Sequence, residues 1–251
     1  MTNILIPSMG SSMFFKDSYF PKPLIEVGGV TMLERVVQNL STVHDGHMIF
    51  VYKDSECRKF HLDMSARLLT QYKAEIITLD EETGGGLCTA LMAVDYVNNT
   101  EPLIITNADQ VIDVDYRKIQ DFFETENADG GVISFKSIHP RWSYLSEENG
   151  VIVEVAEKRP LSMHAMTGFF WYRHGYDFVE AAESAILKQS ETNGQYYVSA
   201  TLNELNLKGK KLVFYEVPEN AYHSFYSPDK IREYERCLCI GGMGYEDGKI
   251  G

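Results

Sequence analysis

The segment Asn3–Val37 constrains this chain more than any other. An apolar run, Ile4-Leu5-Ile6, ends at Pro7 and Gly10, and a loop of small residues from Ser8 to Met13 follows it. Pro21-Lys22-Pro23 then holds a lysine between two residues of fixed φ. Thr31 and Glu34 give a T-x-x-E capping box that opens a helix. A strand, a loop of exposed amides and a rigidly presented cation suit the grip of a polyphosphate at the carboxyl edge of a parallel sheet. Taken alone, the segment fits an ordinary strand-to-helix crossover equally well.

The apolar pattern beyond it alternates. Strands are predicted at Asn3–Pro7, His47–Tyr52, Ala74–Leu79, Pro102–Asn107 and Gly131–Lys136. Helical periodicity covers Met32–Leu40, Ser55–Gln71, Leu87–Val97 and Asp115–Glu126. Repeated βα units predict an α/β, Rossmann-like fold: a doubly wound sheet, mixed but mostly parallel, flanked by helices, with its ligand crevice at the strands' carboxyl ends. After Ile138 the rhythm changes, with strands expected at Gly150–Ala156, Thr167–Tyr172 and Lys211–Val217 and helices at Tyr176–Lys188, Val198–Leu207 and Pro228–Cys239. No low-complexity linker or internal repeat separates the parts, so one domain is expected over 1–240. Its larger half is about 1–137, a smaller lobe about 138–220, and a C-terminal helical segment 221–240. The glycine-containing tail 241–251 is expected to fray.

A chain of 251 residues with net charge −13 can bury a large core but lacks the broad basic face of a nucleic-acid binder. The same charge disfavours docking on anionic lipid, whereas a few local lysines and amides suffice for a small phosphorylated ligand. No apolar run approaches a membrane span, and the N-terminus lacks a basic-then-apolar signal pattern, so the chain is expected in the cytoplasm. Cys57, Cys88, Cys237 and Cys239 form no CxxC pair, which predicts reduced, mostly buried thiols and no zinc site. The sequence leaves open whether copies associate into a homo-oligomer.

Four further segments carry chemistry. Glu81-Glu82-Thr83-Gly84-Gly85-Gly86 can bring backbone close to a flat base, or can be a flexible loop before a helix. Ile104-Ile105-Thr106-Asn107-Ala108-Asp109 ends an apolar strand in a carboxylate able to hold Mg²⁺ against phosphate oxygens; a turn or cap aspartate is the plainer reading. Val155-Ala156-Glu157-Lys158-Arg159-Pro160 places a cation at a strand end, where exposed charges are also common. Asn193-Gly194-Gln195-Tyr196-Tyr197-Val198 turns into a helix, and its tyrosines line a pocket or pack in the core.

In this order, a glycine-containing loop, PKP, a glycine-rich loop, N-x-D, E-K and N-G-x-Y-Y, the chain resembles the sugar-nucleotidyltransferase family over roughly residues 3–220. PKPLIEV, HPRWSYL, EVAEKRP and NGQYYV are similar to a cytidylyltransferase branch from capsule-biosynthesis clusters, which acts on CTP and phosphoglutamine. The resemblance implies a nucleotide-binding first half and an acceptor-binding second half. It implies that Lys22 touches the nucleotide's α-phosphate, that Asp109 binds Mg²⁺ and that Lys158 meets the acceptor's phosphate. Pro7, Ser8, Met9, Gly10, Ser11, Ser12 and Asn107 would surround the nucleotide. Glu82, Thr83, Gly84, Gly85 and Gly86 would read its base. Glu157, Gly168 and Tyr197 would border the acceptor, with Arg141 chosen for its carboxylate.

Two departures stand out. The family's loop arginine for the leaving pyrophosphate is absent from Gly10-Ser11-Ser12-Met13-Phe14-Phe15, leaving Lys16 or loop amides and hydroxyls in its place. The second metal-binding aspartate is absent from Tyr222–Pro228. Both absences fit a catalytically silent nucleotide-binding homologue as well. A dinucleotide-dependent oxidoreductase fits poorly, since the first loop has one glycine instead of G-x-G-x-x-G.

Overall fold

The computed structural model describes residues 1–10 and 13–242. The chain opens with β1 (Thr2–Ser8), a short hairpin of β2 (Glu26–Val27) and β3 (Val30–Thr31), and α1 (Met32–Leu40). It continues through β4 (Gly46–Lys53), α2 (Asp54–Phe60), α3 (Leu62–Leu69), β5 (Glu75–Leu79), α4 (Gly86–Leu91) and α5 (Val94–Val97). Next come β6 (Leu103–Thr106), β7 (Gln110–Ile112), α6 (Tyr116–Thr125) and β8 (Gly130–Lys136). The last part holds β9 (Ser143–Glu148), β10 (Val151–Glu157), β11 (His164–Tyr172), α7 (Gly175–Leu187), α8 (Ala200–Leu207), β12 (Leu212–Glu216), β13 (Tyr222–Ser224) and α9 (Pro228–Gly242).

Nine strands form one sheet in the order β5-β4-β1-β6-β11-β8-β12-β10-β9. Only β11 and β10 run against the others in it, so the expected mixed, mostly parallel α/β sheet is observed. Residues on both sides of position 138 share this sheet. Alternation along β1 explains its two covered faces. Ile4 and Ile6 join a core with Leu33, Val36, Tyr116 and Phe123 from α1 and α6, whereas Leu5 joins one with Leu87, Ala90, Phe178 and Leu202 from α4, α7 and α8.

Several elements depart from the sequence expectation for local reasons. The single helix expected over Ser55–Gln71 is split at His61, which adopts φ 54 and ends α2. Leu87–Val97 divides into α4 and α5 where Met92 and Ala93 donate to carbonyls only three residues back. The strand β9 was not expected: its segment is polar apart from Tyr144 and Leu145, as suits the last strand of the sheet order. Half of the capping box forms. Thr31 Oγ accepts from the Glu34 amide at 3.2 Å, while the Glu34 carboxylate accepts from Gln38. The helix α9 outruns its expected end at Cys239, and residues 243–251 of the tail lie outside the described residues.

The thiols also differ from expectation. Cys57 is buried and Cys88 half-buried, but Cys237 and Cys239 are exposed. Burial pushes the Cys57 thiol up to about 11. No described helix is long and apolar enough to cross a membrane.

The loop Gly84–Gly86 docks on the turn before α8. Tyr196 donates its amide to the Gly84 carbonyl at 2.9 Å, and its own carbonyl accepts from the Leu87 amide at 3.0 Å. Gly85 adopts φ +133, and a Cβ there would lie 2.5 Å from the Tyr196 oxygen.

Two measurements check these features. Gly85→Ala loses about 1–3 kcal/mol and lowers Tm by about 3–10 °C, whereas Gly86→Ala, with open space around its Cβ position, leaves Tm unchanged or higher. Ellman titration of the native protein near pH 8 shows Cys237 and Cys239 reacting rapidly and Cys57 only on unfolding.

Candidate active site

The sheet order reverses at β1, with β4 on one side and β6 on the other. The strand β1 pairs with β4 through Ser8 but with β6 only through Leu5, so beyond Leu5 its β6-facing edge is open. That opening explains why Pro7, expected to end the strand, lies within it. Proline is tolerated where no neighbour needs its missing amide. A crevice at such a switch point is where open α/β sheets bind ligands.

A cavity of about 680 Å³ occupies this place. Pro7, Ser8 and Gly10 line it from the end of β1, and Asn107, Ala108 and Asp109 from the end of β6. Pro21, Lys22 and Pro23 form another wall, Glu56, Lys59 and Phe60 of α2 a third, and Arg141 and Tyr226 a fourth. Phe14, Phe15, Tyr19 and Phe20 stand around it, three of them exposed by more than half.

Two of the expected site residues meet directly. Lys22 Nζ donates to Asp109 Oδ2, and the ammonium lies 5.6 Å from the centre of the Phe15 ring. Pro21 is extended at the entrance of a 3₁₀ turn over Lys22–Leu24, and Pro23 is buried, so the lysine's backbone is fixed on both sides. Asp109 is fixed differently. Its carbonyl accepts from the Phe225 amide at 2.7 Å, next to the antiparallel pairing of β7 with β13. The side chains are 19% and 25% exposed, a half-buried pair and not a surface one. Lys16, Lys22, Lys59 and Arg141 line the cavity against two carboxylates, Glu56 and Asp109. Among the described residues, Lys16, Lys59 and Arg141 have no ion-pair partner.

Asn107 links this edge to Gly168. Gly168 has φ +81, and a Cβ there would fall 2.2 Å from Asn107 Nδ2. Asn107 Nδ2 also donates to Gln110 Oε1 at 3.1 Å, an oxygen that accepts from the Tyr222 hydroxyl at 3.3 Å. Burial, with the Asp109 carboxylate behind it, pushes the Tyr222 hydroxyl well above the usual tyrosine range.

The structure thus brings together Lys22, Asp109, Pro7, Ser8, Gly10, Asn107 and Arg141. Other expected site residues lie elsewhere. Met9 packs in the core with Leu5, because its apolar side chain has a buried face available. Ser11 and Ser12 lie outside the described residues. Glu82, Thr83 and the three glycines do not line the cavity. The close approach at Gly85 is to the chain's own Tyr196, and the Gly84 and Gly85 carbonyls already accept from Tyr196 and from Thr83 and Thr89. The Glu82 carboxylate accepts from Lys53.

Glu157 and Tyr197 line a separate depression of about 330 Å³ with Arg159, Ser199 and Asn203. Lys158 Nζ donates to the Tyr197 hydroxyl at 2.6 Å, and Glu157 accepts from Ser143 and Ser199. Lys59, Phe60 and Tyr226 are cavity residues that sequence reasoning missed. A signal for the first two exists in the Arg58-Lys59-Phe60 run one turn into the helix that follows β4. Tyr226 carries none, since the β7–β13 ladder joins segments 112 residues apart.

Among the described residues no group of three or more His, Cys, Asp or Glu side chains could hold a metal ion. A single carboxylate at a polyphosphate crevice still fits Mg²⁺, which takes one or two carboxylates and fills its remaining positions with phosphate oxygens and water.

A search of curated proteins finds no match. The fold is similar to a nucleoside-diphosphate-sugar pyrophosphorylase from Vibrio cholerae RC9 at TM-score 0.77 and 22% identity, covering 94% of this chain and 100% of that one. It is also similar to a structure from Bacillus anthracis, assigned as a glucose-1-phosphate thymidylyltransferase and solved with sucrose, at TM-score 0.73 and 18% identity, covering 100% of this chain and 98% of that one. The family model of MobA-like NTP transferase domains matches residues 9–162, a span that contains Lys22, Asp109 and Arg141. The chain belongs to the MobA-like NTP transferase family and is a nucleotidyltransferase.

Proposed function

We propose that this nucleotidyltransferase moves a cytidylyl group from CTP to phosphoglutamine, giving CDP-L-glutamine and pyrophosphate. This is the activity of the CTP:phosphoglutamine cytidylyltransferases of capsular polysaccharide modification, whose PKPLIEV, HPRWSYL, EVAEKRP and NGQYYV segments this sequence resembles. The observation that carries the proposal is the Lys22–Asp109 pair at the switch point, in a cavity with surplus positive charge.

In this mechanism an oxygen of the acceptor's phosphate attacks the α-phosphorus of CTP. The new O–P bond forms as the bond to the β-phosphate's bridging oxygen breaks, and pyrophosphate leaves with that electron pair. A phosphate monoanion or dianion near neutral pH is already nucleophilic, so no general base is needed. The barrier lies in bringing two polyanions together. Each pair of unit charges about 4 Å apart repels by about 4 kcal/mol at an effective dielectric of 20. Lys22, fixed between two prolines, offsets this at the α-phosphate, and Asp109 would hold the divalent ion. Such an ion supplies charge neutralisation at the phosphate oxygens. Lys16 and Lys59, which line the same cavity, would meet the departing pyrophosphate in place of the absent loop arginine.

Cytosine presents an amino donor where uracil presents a carbonyl, so its site needs an acceptor. On the Glu82–Gly86 loop the Gly84 and Gly85 carbonyls already accept from Tyr196, Thr83 and Thr89, and the Glu82 carboxylate from Lys53. A second reading takes a sugar 1-phosphate as acceptor, and the pyrophosphorylase and thymidylyltransferase likenesses favour it.

Pyrophosphate release from each of the four NTPs, paired with phosphoglutamine and with several sugar 1-phosphates in the presence of Mg²⁺, decides between them. The proposal expects CTP with phosphoglutamine to give the highest kcat/KM; reaction with a sugar 1-phosphate alone would establish the second reading. Lys22→Ala is expected to lower kcat by about 10²–10³ while changing stability by less than about 1 kcal/mol. Near-wild-type turnover in that variant would remove Lys22 from the mechanism.

A further inference from the structure

We propose that Arg141 is a catalytic residue of the transfer, its guanidinium gripping the β- and γ-phosphates of the bound nucleotide and meeting the charge that develops on the departing pyrophosphate. This deepens the transferase reading above and rests on it. It also gives Arg141 a different ligand from the acceptor carboxylate expected from the sequence.

Charge and exposure single this residue out. Lys22 is held by Asp109, whereas the other three cations lining the crevice, Lys16, Lys59 and Arg141, have no ion-pair partner among the described residues. Lys16 and Lys59 are exposed, where water screens them, but Arg141 is half-buried. A cation partly withdrawn from water acts through a lower effective dielectric and stabilises a developing negative charge more strongly. Of the Arg141 nitrogens, only the backbone amide makes a hydrogen bond among the described residues, to His139 Nδ1 at 3.3 Å. The five guanidinium N–H donors are therefore left for a ligand. Their planar fork can span two phosphate groups, which a lysine cannot do.

The fold anchors that fork beside Asp109. The Phe225 amide donates to the Asp109 carbonyl at 2.7 Å, and the next residue, Tyr226, holds the Arg141 guanidinium 3.1 Å from its ring centre. One backbone rung thus positions both the carboxylate and the arginine. Trp142 flanks the guanidinium at 4.8 Å from its own ring centre. Stacking of this kind fixes a guanidinium without neutralising it. The turn that carries Arg141 is pinned as well. The Tyr144 hydroxyl and the Trp142 amide both donate to the His139 carbonyl, at 2.7 and 3.3 Å. Phe14, from the segment after β1, meets the Tyr226 ring edge-on at 5.9 Å, so the stack spans the crevice.

These positions divide the work. Lys22 and an ion at Asp109 serve the α-phosphate. As the acceptor's oxygen bonds to the α-phosphorus, the bond from that phosphorus to the β-phosphate's bridging oxygen breaks, and the electron pair leaves with pyrophosphate. An unneutralised guanidinium next to Asp109 would meet that leaving group.

The test measures by calorimetry, with Mg²⁺, the affinity of α,β-methylene-CTP, of inorganic pyrophosphate and of CMP for the wild-type chain, Arg141→Gln and Arg141→Lys, with pyrophosphate release assayed alongside. Arg141→Gln is expected to weaken the triphosphate analogue and pyrophosphate about tenfold or more, and to leave CMP, which lacks both outer phosphates, unchanged. Arg141→Lys returns the charge without the fork and restores only part of the loss. In Arg141→Gln, kcat falls by about 10²–10³ while the KM for the acceptor stays within about twofold. Tyr226→Leu, which removes the stack, lowers kcat about tenfold in the wild-type background and has no further effect in Arg141→Gln. Unchanged pyrophosphate affinity, an equal loss for CMP and the analogue, or a raised acceptor KM with triphosphate binding intact would overturn the assignment. Loss of pyrophosphate affinity in Arg141→Gln, with no turnover of any NTP by the wild-type chain, upholds the arginine's phosphate grip and counts against the transferase reading instead.

Discussion

A strand that outruns its neighbour sets the rest of this structure in place. Past Leu5, β1 keeps β4 but loses β6, and the two diverging strand ends carry the Ser8–Gly10 loop and Asp109 to opposite walls of one crevice. Charges of opposite sign face each other across it, and the Lys22–Asp109 pair closes the gap. Its value lies in placement more than in stability. A pair of this exposure contributes at most a kcal/mol or so to folding, but it stores a cation and a carboxylate at the one point where the sheet leaves backbone free for a ligand.

That arrangement matters because the chain is acidic overall. A net charge of −13 would repel a nucleotide triphosphate at long range. At physiological ionic strength the distant carboxylates are screened beyond about 8 Å, so in the proposed function the local balance of Lys16, Lys22, Lys59 and Arg141 over Glu56 and Asp109 would govern binding. Aromatic rings hold several of these cations. Phe15 lies by Lys22, Tyr19 and Phe60 by Lys59, and Tyr226 and Trp142 by Arg141. Rings orient a cation without cancelling its charge, whereas a carboxylate would cancel it.

Much of this was legible in the sequence. Apolar runs with short spacing identified the five strands that the first half gives to the main sheet, and PKP and N-x-D marked the two poles of the crevice, because each is a local pattern with a local physical cause. What stayed hidden depends on long-range register. The pairing of β13 with β7 brings Tyr226 to the site and anchors Asp109 through the Phe225 amide, and nothing in either short segment announces it. The glycine-rich loop shows the same dependence. Its glycines signalled close approach correctly, but at Gly85 the approaching group is the chain's own Tyr196 backbone. Lys158 is at a strand end as expected, yet its ammonium is turned to Tyr197.

The most direct test of the account is a crystal structure with a non-hydrolysable CTP analogue and Mn²⁺ in place of Mg²⁺, read by anomalous scattering. The account predicts one strong peak at Asp109 Oδ, bridging to the phosphates, with Lys22 Nζ released to an α-phosphate oxygen. A triphosphate bound elsewhere, with the Lys22–Asp109 pair intact and no manganese beside it, would contradict the account.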